Sequence, residues 1–235
     1  MKSGSSILSL RQIEQIGESA AEEFIRQEGG IRESYFDVEG FTERFLGIRI
    51  RYERFDEEDR SLIGFLSNGL EPLSVVRDGR HIKVVFERDT AVVDSRLLNE
   101  KDDGRRRFTI AHEAGHRLLE MHMLTPEAEG VFRSEWTAED DHPAEYLRRM
   151  LSVTEAMADR MAAVILMPRI YVMRTLSELN SGEGPAVYAG GVITESDRKL
   201  IDDAAAMLRV SRTALFPRLR ELRLVRYLPA GQYSG

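Results

Sequence analysis

Apolar residues Ile13, Ile16, Ala20 and Phe24 recur every three or four positions between Leu10 and Gln27, with polar residues between them. That repeat predicts an amphipathic helix, and Gly29-Gly30 end it. Asp37 is placed to cap a short second helix that reaches Leu46 and closes at Gly47. The period then changes to two. "IRIRYERF", residues 48–55, alternates as a half-buried strand does, and "LSVVRDGRHIKVVF", residues 73–86, reads as a hairpin around Asp78-Gly79. "TAVVDSRL", residues 90–97, offers a further strand.

After Gly104 the helical period returns and holds to the end. One helix is expected from Arg106 to Met121 and another from Leu147 to Met167, the latter continuing past or kinking at Pro168 toward Leu179. Residues 124–146, with Pro126, Gly130 and Pro143, read as a long irregular excursion, and "NSGEGPAVYAGG" as a loop. Two last helices, in "ESDRKLIDDAAAMLRV" and "SRTALFPRLRELRL", join at Val210-Ser211. The fold class is therefore α+β: N-terminal helices and a small, mainly antiparallel sheet, then helices. The expected layout is a tail at 1–9, a main domain over 10–180, and a helix-turn-helix-like pair over 193–228.

Composition narrows the chemistry. The 235-residue chain has no cysteine, so disulfides and thiolate metal sites are excluded and any metal must be held by His, Asp or Glu. No apolar run suits a signal peptide or a membrane span, which predicts a cytoplasmic protein with no membrane partner. The net charge of -7 gives the molecule little pull toward nucleic acid. Most of that charge is local. Residues 124–146 hold Glu127, Glu129, Glu135, Glu139, Asp140, Asp141 and Glu145 against Arg133 alone.

"FTIAHEAGHRLLE", residues 108–120, places His112 and His116 one helical turn apart, with Glu113 beside the first. Two imidazoles at i and i+4 converge on one ion without distorting the backbone, and the next residue lies close enough to reach a water there. Two solvated polar residues would be the bland alternative, but Ile110, Ala111, Ala114, Gly115, Leu118 and Leu119 surround them. A catalytic zinc takes three protein ligands. The best third is Glu155 in "TEAMADRMAAVILMP", with Asp159 four residues on as the acceptor that fixes a ligating imidazole. Glu145 and Glu120 are next in line. The apolar company of Glu155 and Asp159 suggests a helix buried nearly all round, where two carboxylates need a partner; pairing with Arg160 is the ordinary one.

"RRRFTIAHEAGHRLLE" followed by "EAMADRMAAVILMP" resembles the ImmA/IrrE family of zinc metallopeptidases. The likeness runs through Phe108-Thr109, His112 to His116, Glu155 with Ala158-Asp159 and Ala162, and Leu166-Met167-Pro168. It continues in the tail through Val210-Ser211, Ala214-Leu215, Arg218-Leu219 and Leu222, and covers roughly residues 10–225. The resemblance implies a zincin-like domain, Zn2+ on His112, His116 and Glu155, Glu113 as general base, and a helix-turn-helix transcriptional repressor as substrate. The 39 residues from His116 to Glu155 exceed the family spacing, and the acidic segment accounts for the excess. The sensor-like C-terminal domain that some members carry is not expected here.

The oxyanion donor is not identified by the sequence; His142, Tyr146 and Tyr171 are weak candidates. Arg105, Arg106 and Arg107 crowd the start of the metal helix, where cations are unfavourable. They are expected to face solvent or pair with acids such as Asp140 and Asp141, with docking of acidic substrate groups as the sharper reading. Two other functions compete. The tail pair suggests a DNA-binding regulator, with Arg212, Arg218, Arg220, Arg223 and Arg226 supplying charge, although Pro217 interrupts the second helix. A non-catalytic metal-stabilised interaction module is the third reading, and Glu113 speaks against it.

Overall fold

The computed structural model of the protein describes residues 8–56, 62–122 and 144–229, with side chains from 152 onward in the last stretch. His142 and most of the acidic excursion lie outside the described residues. Tyr146 and Glu145 enter only as helix backbone.

Helix α1 (Leu10–Gln27) starts on a capping box in which Ser9 and Gln12 satisfy each other's exposed backbone N–H groups. A short α2 (Val38–Gly40), capped by Asp37, runs into a π-helical turn at Phe41–Phe45. Phe24, Phe36, Phe41 and Phe45 pack edge to face or stacked beneath it. Strands β1 (Arg49–Glu53), β2 (Gly64–Ser67) and β5 (Thr90–Asp94) form one sheet in the order β1-β5-β2. The run Thr90-Ala91-Val92-Val93 suits the centre of a sheet, and every residue of β5 is buried. Strands β3 (Pro72–Arg77) and β4 (Arg80–Val85) form a separate hairpin, with Asp78 and Gly79 both at positive φ as the tight turn requires.

Helix α3 (Asp103–His122) follows β5, and α4 (Ala144–Leu166) lies against it in the most extensive helix pairing of the molecule. Pro168 caps α5 (Arg169–Asn180), and Thr194 and Ser211 cap α6 (Glu195–Leu208) and α7 (Arg212–Glu221). Short strands β6 (Ala186–Tyr188) and β7 (Arg226–Leu228) pair in parallel. One apolar cluster draws residues from α1 through α7, including Phe36, Ile110, Met161, Leu208 and Leu215. The class is α+β.

Several expectations need correction. The main sheet is mixed: β1 runs parallel to β5, and only β2 is antiparallel to it. Strand β2 is absent from the sequence-based reading, as is β6 inside the expected loop. The chain does not continue helically through Pro168, because a proline lacks the N–H needed there; it starts a new helix instead. Arg218, read as surface charge, is 1% exposed. Its guanidinium donates to Glu14 at 2.7 Å, Glu18 at 2.6 Å and the Met167 carbonyl at 3.0 Å, which ties α7 to α1 and to the end of α4. Burial pushes the Glu18 carboxyl above its ordinary value even with this partner.

Arg218→Ala would remove the buried cation from Glu14 and Glu18, leaving Glu14 with Arg160 at 3.8 Å and Glu18 with the Arg169 N–H. A loss of about 3–5 kcal/mol is expected, read by urea unfolding at neutral pH.

Candidate metal centre

The site is made where α3 crosses α4, and the crossing is close because Gly115 stands between the two histidines. A Cβ at Gly115 would lie 3.1 Å from the Ala158 carbonyl oxygen and 3.2 Å from Met161 Cβ. Ala158 and Ala162 on the facing helix are fully buried. Small residues on both sides let the backbones approach until side chains one turn apart on α3 meet side chains one turn apart on α4.

Three side chains converge there. His112 Nε2 is 3.0 Å from His116 Nε2 and 3.1 Å from Glu155 Oε2, and His116 Nε2 is 3.5 Å from Glu155 Oε1. On its other side, His112 Nδ1 lies 2.9 Å from Asp159 Oδ1. An Nδ1–H donated to Asp159 leaves the Nε2 lone pair aimed at His116 and Glu155. His116 is pushed down to about 4, first by burial and then by its neighbour His112, so its imidazole is neutral at pH 7. His112 is held above its ordinary value by the Glu155, Glu113 and Asp159 carboxylates, against the opposing effect of burial.

Lone pairs on two imidazoles and a carboxylate, all within 4.8 Å of one another, need a proton or a cation among them, and a cation can serve all three at once. Ligands about 2.1 Å from a tetrahedral ion are about 3.4 Å apart, close to the separations seen here. The three residues therefore fit a metal ion. Asp159 fits the partner that orients the ligating His112.

Glu113 does not join this group. Its side chain turns toward strand β2, where it lies against Gly64 and the Leu66 N–H donates to it. It is 5% exposed, and burial pushes its carboxyl up to about 7, against the stabilising effects of His112 and the Leu66 N–H. Among the described residues, strand β2 pairs with β5 alone. The carbonyls of Ile63 and Ser67 accept from β5-side N–H groups at 3.0 Å, so the alternation of an antiparallel ladder turns the backbones of Gly64 and Leu66 outward. Glu113 thus lies between the two histidines and the edge of β2 that no described strand covers.

The other candidates fall elsewhere. Tyr171 is buried edge to face against Phe36, 5.8 Å between ring centres, so its ring fills the core and is not brought to His112 or Glu155. Glu120 turns to Arg117 at 2.7 Å. The expectation of a helix buried all round at Glu155 and Asp159 fails; their side chains are 58% and 60% exposed, because α4 is buried on every side only from Met161 onward. Arg160 pairs instead with Glu221.

The expected partners Asp140 and Asp141 of the arginine run lie outside the described residues. Arg106 reaches Glu39 at 2.6 Å and Asp103 at 2.8 Å. Arg107 is buried, donates to the Phe36 carbonyl at 2.8 Å and stacks on Tyr35. Sequence reasoning missed the strand that holds Glu113. Its signal was present in "LIGFLS" before Asn68-Gly69, a short apolar run closed by a turn pair. Comparison with protein-family models and with curated proteins finds no match.

The burial of Glu113 has a consequence for the metal-free protein. Its folded-state pKa lies above the ordinary 4.5, so its contribution to stability is complete below pH 4.5 and is lost as pH rises through about 7. The amide introduced by Glu113→Gln does not titrate. The variant should match wild type at pH 4 and exceed it at pH 8 by up to about 3 kcal/mol, from about 2.5 pH units at about 1.4 kcal/mol each. Urea unfolding of both proteins across that range, in the presence of chelator, checks it.

Proposed function

We propose that this chain is a zinc-dependent endopeptidase of the ImmA/IrrE kind, acting in the cytoplasm on a helix-turn-helix transcriptional repressor. The observation that carries the reading is the division of labour around α3. His112, His116 and Glu155 face one another as a ligand set, while Glu113 is kept off that set, buried, and beside the edge of β2 that no described strand covers.

When bound, zinc supplies the Lewis acidity that polarises a carbonyl and makes a water more acidic. His112, His116 and Glu155 would hold it, and Asp159 would keep His112 in the tautomer that presents Nε2. Glu113 takes the proton of the attacking water on a carboxylate oxygen and passes it to the leaving amine nitrogen, so the base is regenerated in each turnover. In the metal-free protein burial pushes this carboxyl up to about 7, and a cation on the neighbouring ligands would lower it toward the ionised form that a base requires. An extended substrate segment laid beside β2 would find the outward backbone of Gly64 and the Leu66 carbonyl as hydrogen-bonding partners. The repressor as substrate comes from the sequence resemblance alone.

The DNA-binding reading draws less support. Arg218 is buried, Arg226 is 2.9 Å from Glu183, and Arg212 is 3.6 Å from Asp202. Leu215, Leu219 and Leu222 turn one face of α7 and its end into the core. These pairings leave that helix pair less charge to meet phosphates. Among the described residues, no helix is long and apolar enough to cross a membrane.

The purified protein should carry about one zinc per chain. His116→Ala should lose it, whereas Glu113→Gln should retain zinc and lose hydrolysis of the repressor, which also separates an enzyme from a metal-stabilised interaction module. Metal analysis and a cleavage assay read both, and equal zinc in wild type and His116→Ala would sink the site. Glu155→Ala should weaken zinc binding far more than Asp159→Asn, for which a 10–100-fold loss is about the expected size. Titration against a zinc-buffering chelator measures the two.

A further inference from the structure

Strand β2 passes directly over α3 at Gly64. A Cβ placed on Gly64 would collide with Glu113 Oε1 and stand 2.5 Å from Thr109 Cγ2. The residue is not among those at positive φ, so its backbone conformation is open to any side chain. Glycine is needed here for room alone. Two residues along the same strand, the outward Leu66 N–H donates to the Glu113 carboxylate.

The two obstacles differ in how they can yield. Thr109 is buried on α3, β-branched, and further held by its hydroxyl donating to the Arg105 carbonyl at 3.0 Å. Its χ1 is stiff in a helix. The Glu113 carboxylate is the far end of a flexible side chain. A methyl group at position 64 would therefore displace the carboxylate and leave the helix where it is.

We propose that Gly64 is a positioning residue for Glu113: by carrying no side chain, it lets the edge of β2 close over α3 so that the carboxylate is held between Thr109 and the Leu66 N–H. The placement stands on the geometry alone. Its effect on turnover rests on the peptidase reading, in which Glu113 moves the proton and Gly64 touches neither substrate nor metal.

The test is Gly64→Ala in the full chain, alone and combined with Thr109→Ser, which removes the methyl beside the new Cβ but leaves the Glu113 carboxylate in its way. Amide hydrogen exchange is followed at Leu66, whose N–H faces Glu113. Phe65 and Val92, which face each other across the β2–β5 ladder, serve as internal controls. Protection at Leu66 should fall about tenfold or more in Gly64→Ala while Phe65 and Val92 keep theirs, and the double variant should not recover it; recovery there would mean that Thr109, and not the carboxylate, is what the methyl displaces, and would overturn the proposal. In an enzyme active on peptide, kcat should fall by a similar factor with KM within about twofold and zinc content unchanged.

An unchanged Leu66 amide would overturn the proposal. So would a joint loss at Leu66, Phe65 and Val92, since Gly64 would then merely hold the strand together. A Leu66 response with unaltered kcat would overturn the role in turnover. If wild type cleaves no peptide while Leu66 responds as described in both variants, the placement of Glu113 stands and the peptidase reading fails.

Discussion

Close contact between α3 and α4 is the constraint on which the rest depends. Gly115, Ala158 and Ala162 supply it by having almost nothing between their backbones, and the distance it sets is the distance between His112 and Glu155. Hydrophobic burial drives the pairing without choosing its geometry. The missing side chain at Gly115 does that, on the same turn as the two histidines. Stability and ligand geometry thus share one determinant. The ion pairs of Arg218 then fix the far end of α4 against α1 and α7, at a distance from the chemistry but on the same helix as Glu155.

The same economy of space recurs above α3. Strand β2 approaches through Gly64 as α4 approaches through Gly115, and between them α3 meets a strand edge on one side and a carboxylate pair on the other. The consequence is electrostatic. Glu113, His112 and Glu155 are neighbours in one small region, yet burial raises Glu113 while hydrogen bonding to His112 lowers Glu155. Two carboxylates with diverging affinities for a proton suit different roles, and the proposed function gives them a base and a metal ligand.

Much of this was legible in the sequence because it is local. His112, Glu113 and His116 follow from helical spacing, and so do Glu155 and Asp159 as a pair; the helices, the hairpin at Asp78-Gly79 and the caps follow from periodicity and turn residues. What was not legible is long-range. Nothing near Arg218 signals that Glu14 and Glu18, some two hundred residues away, will bury it. The parallel pairing of β1 with β5 depends on what lies between them, and β2 is a four-residue strand whose importance comes from its neighbour across space. The exposure of Glu155 and Asp159 escapes the sequence for a related reason: apolar residues around a position show that a helix has a buried face, and the length over which a neighbour covers it is set by tertiary packing.

His112, His116 and Glu155 are placed to hold one metal ion, and zinc is the ion proposed. X-ray absorption at the zinc edge, on protein loaded with a single equivalent, tests it most directly. The account predicts a first shell of nitrogen and oxygen at about 2.0–2.2 Å, with the outer-shell scattering of two imidazoles, and loss of one of the two in His116→Ala. A shell with no imidazole scattering, or one unaltered in His116→Ala, would contradict it.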